Sequence, residues 1–191
     1  LLEGRALPTA VSMIACGVGP GSFTGIRVAV GVAQGLGWSL DLPVYPFCSL
    51  EAQARSAPAK VGDRILSTID AQIGQVYWSW SERVPGGVQL LTDPAISPVE
   101  EIKSPAGDAL ADWVADDVFI AGDASEAVIR CHAAFAHSGS DSTARPRPSQ
   151  CALHYIDNPA PGRLITAQAL EPRYVQQNIG WKKLSEQGNV D

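Results

Sequence analysis

Apolar positions in this chain fall into short runs punctuated by glycine and proline, the pattern of strands and helices in alternation. Val11-Ser12-Met13-Ile14-Ala15, bounded by Pro8 and Gly17, reads as a buried strand. A glycine-rich turn, Gly17-Val18-Gly19-Pro20-Gly21, follows, and Ser22 is placed to cap a helix running from about Phe23 to Leu40. Pro43 ends that helix, and Val44-Tyr45-Pro46-Phe47 reads as a second strand, pushed toward an edge by Pro46. Ser49 is expected to cap a short helix through Glu51 and Arg55, with a linker from Ser56 to Gly62. Arg64–Asp70 and Gln75–Trp80 predict a hairpin around Ala71-Gln72-Ile73-Gly74, and Val88–Leu91 extends it to a meander. Ser97-Pro98-Val99-Glu100-Glu101 has the signature of a helix start. Val118–Ala121 predicts a strand, Glu126–His137 a helix, and the polar stretch Ser138–Gln150 a mobile loop. Leu1–Arg5 reads as a helix end stopped near Gly4, so residues are expected upstream. The whole predicts an α/β protein of two lobes divided near 56–63.

Composition narrows the function. Of 191 residues, 46% are apolar and 18% charged, enough to bury a core and too apolar for disorder. Fourteen basic side chains against twenty acidic ones leave a net charge of −6, whereas a free-standing nucleic-acid binder carries a basic surplus. The four cysteines contain no CxxC pair, which removes zinc-ribbon and thioredoxin-type readings. No apolar run reaches the roughly 18–20 residues of a helical membrane span, and no signal segment opens the chain. The expected setting is the reducing cytoplasm, away from membranes.

The chemistry-bearing candidates are few. The turn and helix start at Gly19, Pro20, Gly21, Ser22, Phe23, Thr24 and Gly25 can seat an anion on backbone N–H groups. They can equally be glycines that permit a tight turn and close packing. The spelling is neither a Walker A loop, which needs a lysine, nor a dinucleotide fingerprint, whose sixth position here is Ser22. Phe23 holds the place of the serine in a nucleophile elbow. Asp70 closes a strand ahead of a turn, either shaping that turn or presenting a carboxylate to a cleft. Interior Gly25, Gly31 and Gly35 cost the following helix roughly 1 kcal/mol each against alanine. Close approach of another helix, within the chain or from a partner, is one reason for them, and core packing is the other. His132 and His137 are five apart, off the spacing of two ligands on one helical face, and no metal site is expected.

The run Gly19-Pro20-Gly21-Ser22-Phe23-Thr24-Gly25-Ile26-Arg27 closely resembles the TsaB family, also called YeaZ. The similarity continues through Gln34-Gly35-Leu36, Leu42-Pro43, Ser49-Leu50-Glu51-Ala52, Asp70-Ala71-Gln72, Val76-Tyr77-Trp78, Glu171-Pro172-Arg173-Tyr174-Val175 and Trp181-Lys182-Lys183. It departs at Gly17-Val18, where many members carry an arginine, and at Gln176-Gln177-Asn178. The resemblance implies the actin-like ATPase (ribonuclease H-like) fold, with 1–58 as the remainder of the first lobe and 59–191 as the second. It implies a non-catalytic scaffold that activates a TsaD-type partner in threonylcarbamoyladenosine modification of the tRNA adenosine beside the anticodon. A TsaE-type ATPase completes that assembly, tRNA is met only through the complex, and the chain alone is expected to form a homodimer. Ile26, Arg27, Val30, Gly31 and Gln34 are the implied partner interface. The metal motif His-x-x-x-His of the TsaD homologue does not occur in this sequence. No cofactor is required on this reading; ATP or ADP at the 19–25 loop is the nucleotide alternative. A glycoprotease-like peptidase or a nucleotide hydrolase is the enzymatic rival.

Overall fold

The computed structural model describes residues 10–110 and 117–175. Leu1–Arg5, Gln176-Gln177-Asn178 and Trp181-Lys182-Lys183 lie outside the described residues.

The first layer is a parallel pair of strands. β1 (Ile14–Gly19) and β2 (Val44–Cys48) pair from Ile14↔Val44 to Gly17↔Phe47, with a register shift before Gly19. They are joined by α1 (Phe23–Ser39), which Ser22 caps as expected, its Oγ accepting from the Gly25 N–H at 3.3 Å. β1 begins at Ile14, later than the apolar run, because its partner starts only at Val44. α2 (Ser49–Ser56) follows β2 directly. Ser49 is its first helical residue and not its cap; Cys48 takes that place without a side-chain cap bond.

The second layer is a six-stranded mixed sheet. β3 (Arg64–Asp70) and β4 (Gln75–Val84) form the expected hairpin, in register from Arg64↔Glu82 to Asp70↔Val76. β5 (Gly87–Leu90) continues the meander. β7 (Val118–Ala121) pairs parallel to β3 on its other side, and β8 (Gly139–Asp141) follows β7.

Three expectations are corrected here. The segment read as a helix start is β6 (Ala95–Pro98), antiparallel to β4, followed by one 3-10 turn at Val99–Glu101. Pairing Ile96 with Tyr77 outweighs the local capping signal. The helix expected over 126–137 is only α3 (Ser125–Cys131), and a turn bonding Phe135 N–H to His132 C=O ends it. The expected loop 138–150 instead supplies β8 and the first turn of α4 (Pro148–Asp157), with Pro148 at the helix start. Thr143 donates to Asp141 from both backbone and hydroxyl, fixing the bend and holding the Asp141 carboxyl below its usual range.

Alternation divides β3 and β4 between two environments. Leu66, Val76, Trp78 and Trp80 join Ile102, Leu110, Ile120, Val128 and Phe135 in the largest core. The indole N–H groups of Trp80 and Trp78 donate to Lys103 C=O and Ser97 Oγ, so neither polar edge is wasted. The opposite face carries Ile65 with the small, fully buried Ser67, Ser79 and Ser81, and α2 lies over it with Ala54 and Ala57 against Ile65. Leu50 through Arg55 of α2 are all buried. Its one charged pair is internal, Arg55 Nη2 meeting Glu51 Oε1 at 2.8 Å. Its C-terminal carbonyls accept from the Arg83 guanidinium, at 2.9 Å for Ala54, with Ala57 as a second acceptor.

The chain then returns to the first layer. Ile165 bridges Val44, Gln34 Nε2 donates to Leu170 C=O at 2.9 Å, and Arg173 N–H donates to Val18 C=O at 2.7 Å. Ala167 and Leu170 therefore bury with Ile26, Val30 and Ala33 of α1, although the residue boundary near 59 groups them with the second sheet.

Removing one member of the buried α2 pair should hurt more than removing both. Glu51→Ala is expected to lose about 3 kcal/mol in urea unfolding, since it strands a buried guanidinium, whereas Glu51→Leu with Arg55→Met loses under about 1.5 kcal/mol.

Candidate functional site

A groove of about 890 Å³ opens where the two layers meet. Three separate stretches build it: the turn into α1 (Pro20–Phe23, then Ile26 and Arg27), the β3–β4 hairpin (Asp70–Gln72 and Tyr77), and the returning segment Arg173–Val175. Thus the loop and the carboxylate proposed from sequence, far apart in the chain, share one groove.

Their detailed roles divide. Gly19 has φ +117°, and a Cβ there would lie 2.7 Å from the Arg173 carbonyl oxygen, so this glycine serves the close passage of the returning segment. Pro20, Gly21, Ser22 and Phe23 line the groove, while Thr24 and Gly25 are exposed just beyond it. Ser22 spends its hydroxyl on the helix cap. Asp70 accepts from Gln72 N–H at 2.9 Å and from Gln72 Nε2 at 3.2 Å, the work of a turn, and its own N–H donates to Asp123 Oδ1 at 2.8 Å. Asp70 nevertheless remains exposed on the groove wall, so the turn and cleft readings coexist in one residue.

The interface set also divides. Ile26 and Val30 point into the core at 8% and 4% exposure, so these two are corrected from surface to interior positions. Gln34 is half-buried through its bond to Leu170. Gly31 is exposed with open space where a Cβ would stand. Arg27 is exposed and sits over Phe23, its guanidinium carbon 3.4 Å from that ring centroid and 5.4 Å from that of Tyr174. The large apolar positions that do reach solvent on α1 are Phe23, at the groove, and Val28, Val32, Leu36 and Trp38.

Arg173, Tyr174, Val175 and Tyr77 were not identified as site residues from sequence. Tyr77 sits inside a strand pattern, and no periodicity tells a reader that residue 174 returns to stack beside Phe23, 5.8 Å between ring centroids. Among the described residues no three His, Cys, Asp or Glu side chains gather as a metal site. His132 Nε2 is instead paired with Val99 C=O at 2.8 Å.

The sequence model of the family described as TsaD, tRNA N6-adenosine threonylcarbamoyltransferase, matches residues 4–153. Escherichia coli K12 has a relative named tRNA threonylcarbamoyladenosine biosynthesis protein TsaB, 30% identical over 187 residues, covering 92% of this chain and 75% of that one. The chain belongs to the TsaB (YeaZ) family. A Haemophilus influenzae protein of the same name is 46% identical over 70 residues, which are 36% of this chain and 30% of that protein. The solved structure of YeaZ from Pseudomonas aeruginosa superposes with a TM-score of 0.73 at 30% identity, covering 91% of this chain and 78% of that one. A second Pseudomonas aeruginosa structure, of a protein described as similar to peptidase YEAZ, gives 0.75 at 29%, covering 88% and 76%. The fold is thus the two-lobed α/β, actin-like ATPase fold expected from the sequence. No helix of the described residues is long and apolar enough to cross a membrane.

The loop glycine offers a direct check on the groove's construction. Gly19→Ala is expected to lose about 2–3 kcal/mol in urea unfolding and to expose the Arg173 amide to hydrogen exchange. Unchanged protection of that amide would mean that the returning segment does not depend on the loop.

Proposed function

We propose that this chain serves tRNA threonylcarbamoyladenosine biosynthesis as a non-catalytic subunit that docks onto a TsaD-type partner through the open side of α1. The observation that carries this reading is the helix itself. Ile26, Val30, Ala33 and Gly37 bury one side of it, yet the other presents Val28, Val32 and Leu36 at 60%, 57% and 41% exposure. A helix apolar on both sides needs cover on both. Gly31 and Gly35 meet nothing within 4 Å, so their cost in helix propensity has no return inside the described fold. Missing side chains at a four-residue interval let a second backbone come close, which gives that cost a purpose.

The groove supports a role without turnover, since its serine is committed to a helix cap and its carboxylate to a turn. With a net charge of −6, contact with tRNA falls to the partner. A TsaE-type ATPase, a homodimer through the same helix face when the partner is absent, and a cytoplasmic setting complete the proposal.

The test uses the full-length protein with the TsaD of its own organism. Gly31→Ala with Gly35→Ala should raise the chain's own stability by about 1–2 kcal/mol and still weaken the complex. Val32→Asp should weaken it about tenfold or more, leave the monomer's unfolding within about 0.5 kcal/mol, and lower tRNA modification in the reconstituted system. Undiminished association of both variants, read by light scattering after gel filtration, would remove α1 as the docking face.

A further inference from the structure

The tip of the β3–β4 hairpin carries a side chain that its backbone does not favour. Gln72, Ile73 and Gly74 stand in succession at φ +68°, +53° and +74°. Among the described residues only Asp41, Gln72 and Ile73 hold positive φ without being glycine, and Ile73 is the one branched at Cβ. Glycine or asparagine suits that left-handed conformation, whereas Cβ branching crowds the backbone there. Ile73 is also the most exposed large apolar side chain among the described residues, so burial within the fold offsets none of this strain. We propose that Ile73 is a second anchor of the docking surface, entering an apolar pocket of the TsaD-type partner that covers α1, so that one partner spans both layers. The partner is the one proposed for α1, and this anchor rests on that reading.

The turn holds this side chain out and fixes it. Ala71 N–H donates to Gln75 C=O at 2.9 Å, and Gln75 N–H donates to Gln72 C=O at 3.0 Å. Asp70 accepts from Gln72 N–H at 2.9 Å, while its own N–H donates to Asp123 Oδ1 at 2.8 Å and ties the hairpin to the turn after β7. An apolar group fixed before contact loses little freedom on binding, which is what an anchor residue needs. Residues 71–75 carry no charge, so an apolar pocket can close over Ile73 without stripping water from an ion among them.

Its place relative to α1 selects the partner. Phe23, Arg27, Gly31 and Gly35 follow one another at four-residue spacing, one ridge of the helix about 18 Å long. Gly31 and Gly35, at one end, leave room for a second backbone. Phe23 and Arg27, at the other, line the same groove as Ala71 and Gln72 of the hairpin. Ile73 follows directly past that rim. Phe23 and Tyr174 are 51% and 45% exposed, so aromatic surface continues from the ridge to the groove mouth. A body seated along the ridge and reaching over that mouth meets Ile73.

Titration of the full-length protein against the TsaD of its own organism, with Val32→Asp run beside each tip variant, tests this. Ile73→Asn should raise the thermal unfolding midpoint by about 2–4 °C, because it relieves the strain, and still weaken the complex about tenfold. Ile73→Val keeps a branched apolar side chain and should leave association within about threefold. A purely structural role for Ile73 would instead move stability and association in the same direction. Undiminished association of Ile73→Asn, while Val32→Asp weakens the complex, would overturn the tip as an anchor and leave docking on α1 standing. Undiminished association of both would remove the two together. A lowered unfolding midpoint for Ile73→Asn would overturn the strain from which the anchor is inferred. Loss of self-association with TsaD binding unchanged would assign the tip to a second copy of this chain and overturn the proposal likewise.

Discussion

The described fold depends on burying α2 from nearly every side. This eight-residue helix touches β1 and β2 of the first layer, β3, β4 and β5 of the second, and α4. Such a position forbids large side chains on at least one contacting surface, and β3 and β4 meet the demand with Ser67, Ser79 and Ser81 in place of the usual branched residues. Their hydroxyls find no partner among the described residues, so close approach of the helix comes with three unsatisfied oxygens there. The helix also carries two charges into this interior. Glu51 and Arg55 answer each other one turn apart, and Arg83 reaches from β4 to the helix's last carbonyls. Partial burial, with the Arg55 charge nearby, pulls the Arg83 guanidinium below its usual range.

What the sequence made legible was what local chemistry decides. Ser22 and the glycines of 17–21 specify a strand, turn and capped helix within a dozen residues. The β3–β4 hairpin is likewise written in its own alternation and turn. Legibility fails where partners are distant. Ser97-Pro98-Val99-Glu100-Glu101 carries a sound helix-start signal, yet Ala95–Pro98 completes the sheet because β5 covers only Ser81–Val84 of β4 and leaves the edge at Gln75–Trp78 open. Burying Ile26 and Val30 depends on Ala167 and Leu170, more than a hundred residues later, so the interface set could not be divided from spacing alone. The same long return built the part of the groove that sequence reasoning missed.

The glycine loop illustrates how two readings become one. Gly19 is required because Arg173 passes against it, which is the packing account. That same passage delivers Arg173 and Tyr174 to the wall beside Pro20–Phe23, so the loop forms one side of a groove. A conformational constraint in the first layer thereby fixes the composition of a groove shared with the second.

α1 then stands as a helix with three obligations. Its core side holds the first layer together, its start frames the groove, and its remaining side is apolar without a described neighbour. Alanine at Gly31 or Gly35 would meet no clash and would strengthen the helix, so nothing among the described residues accounts for glycine at either place. The sterically open row Gly31–Gly35, beside Val28 and Val32, has a shape that fits close approach of a second surface, as the proposed docking requires. The side of α1 turned away from the core thus carries two open glycines among exposed valines, the surface on which the proposed docking rests.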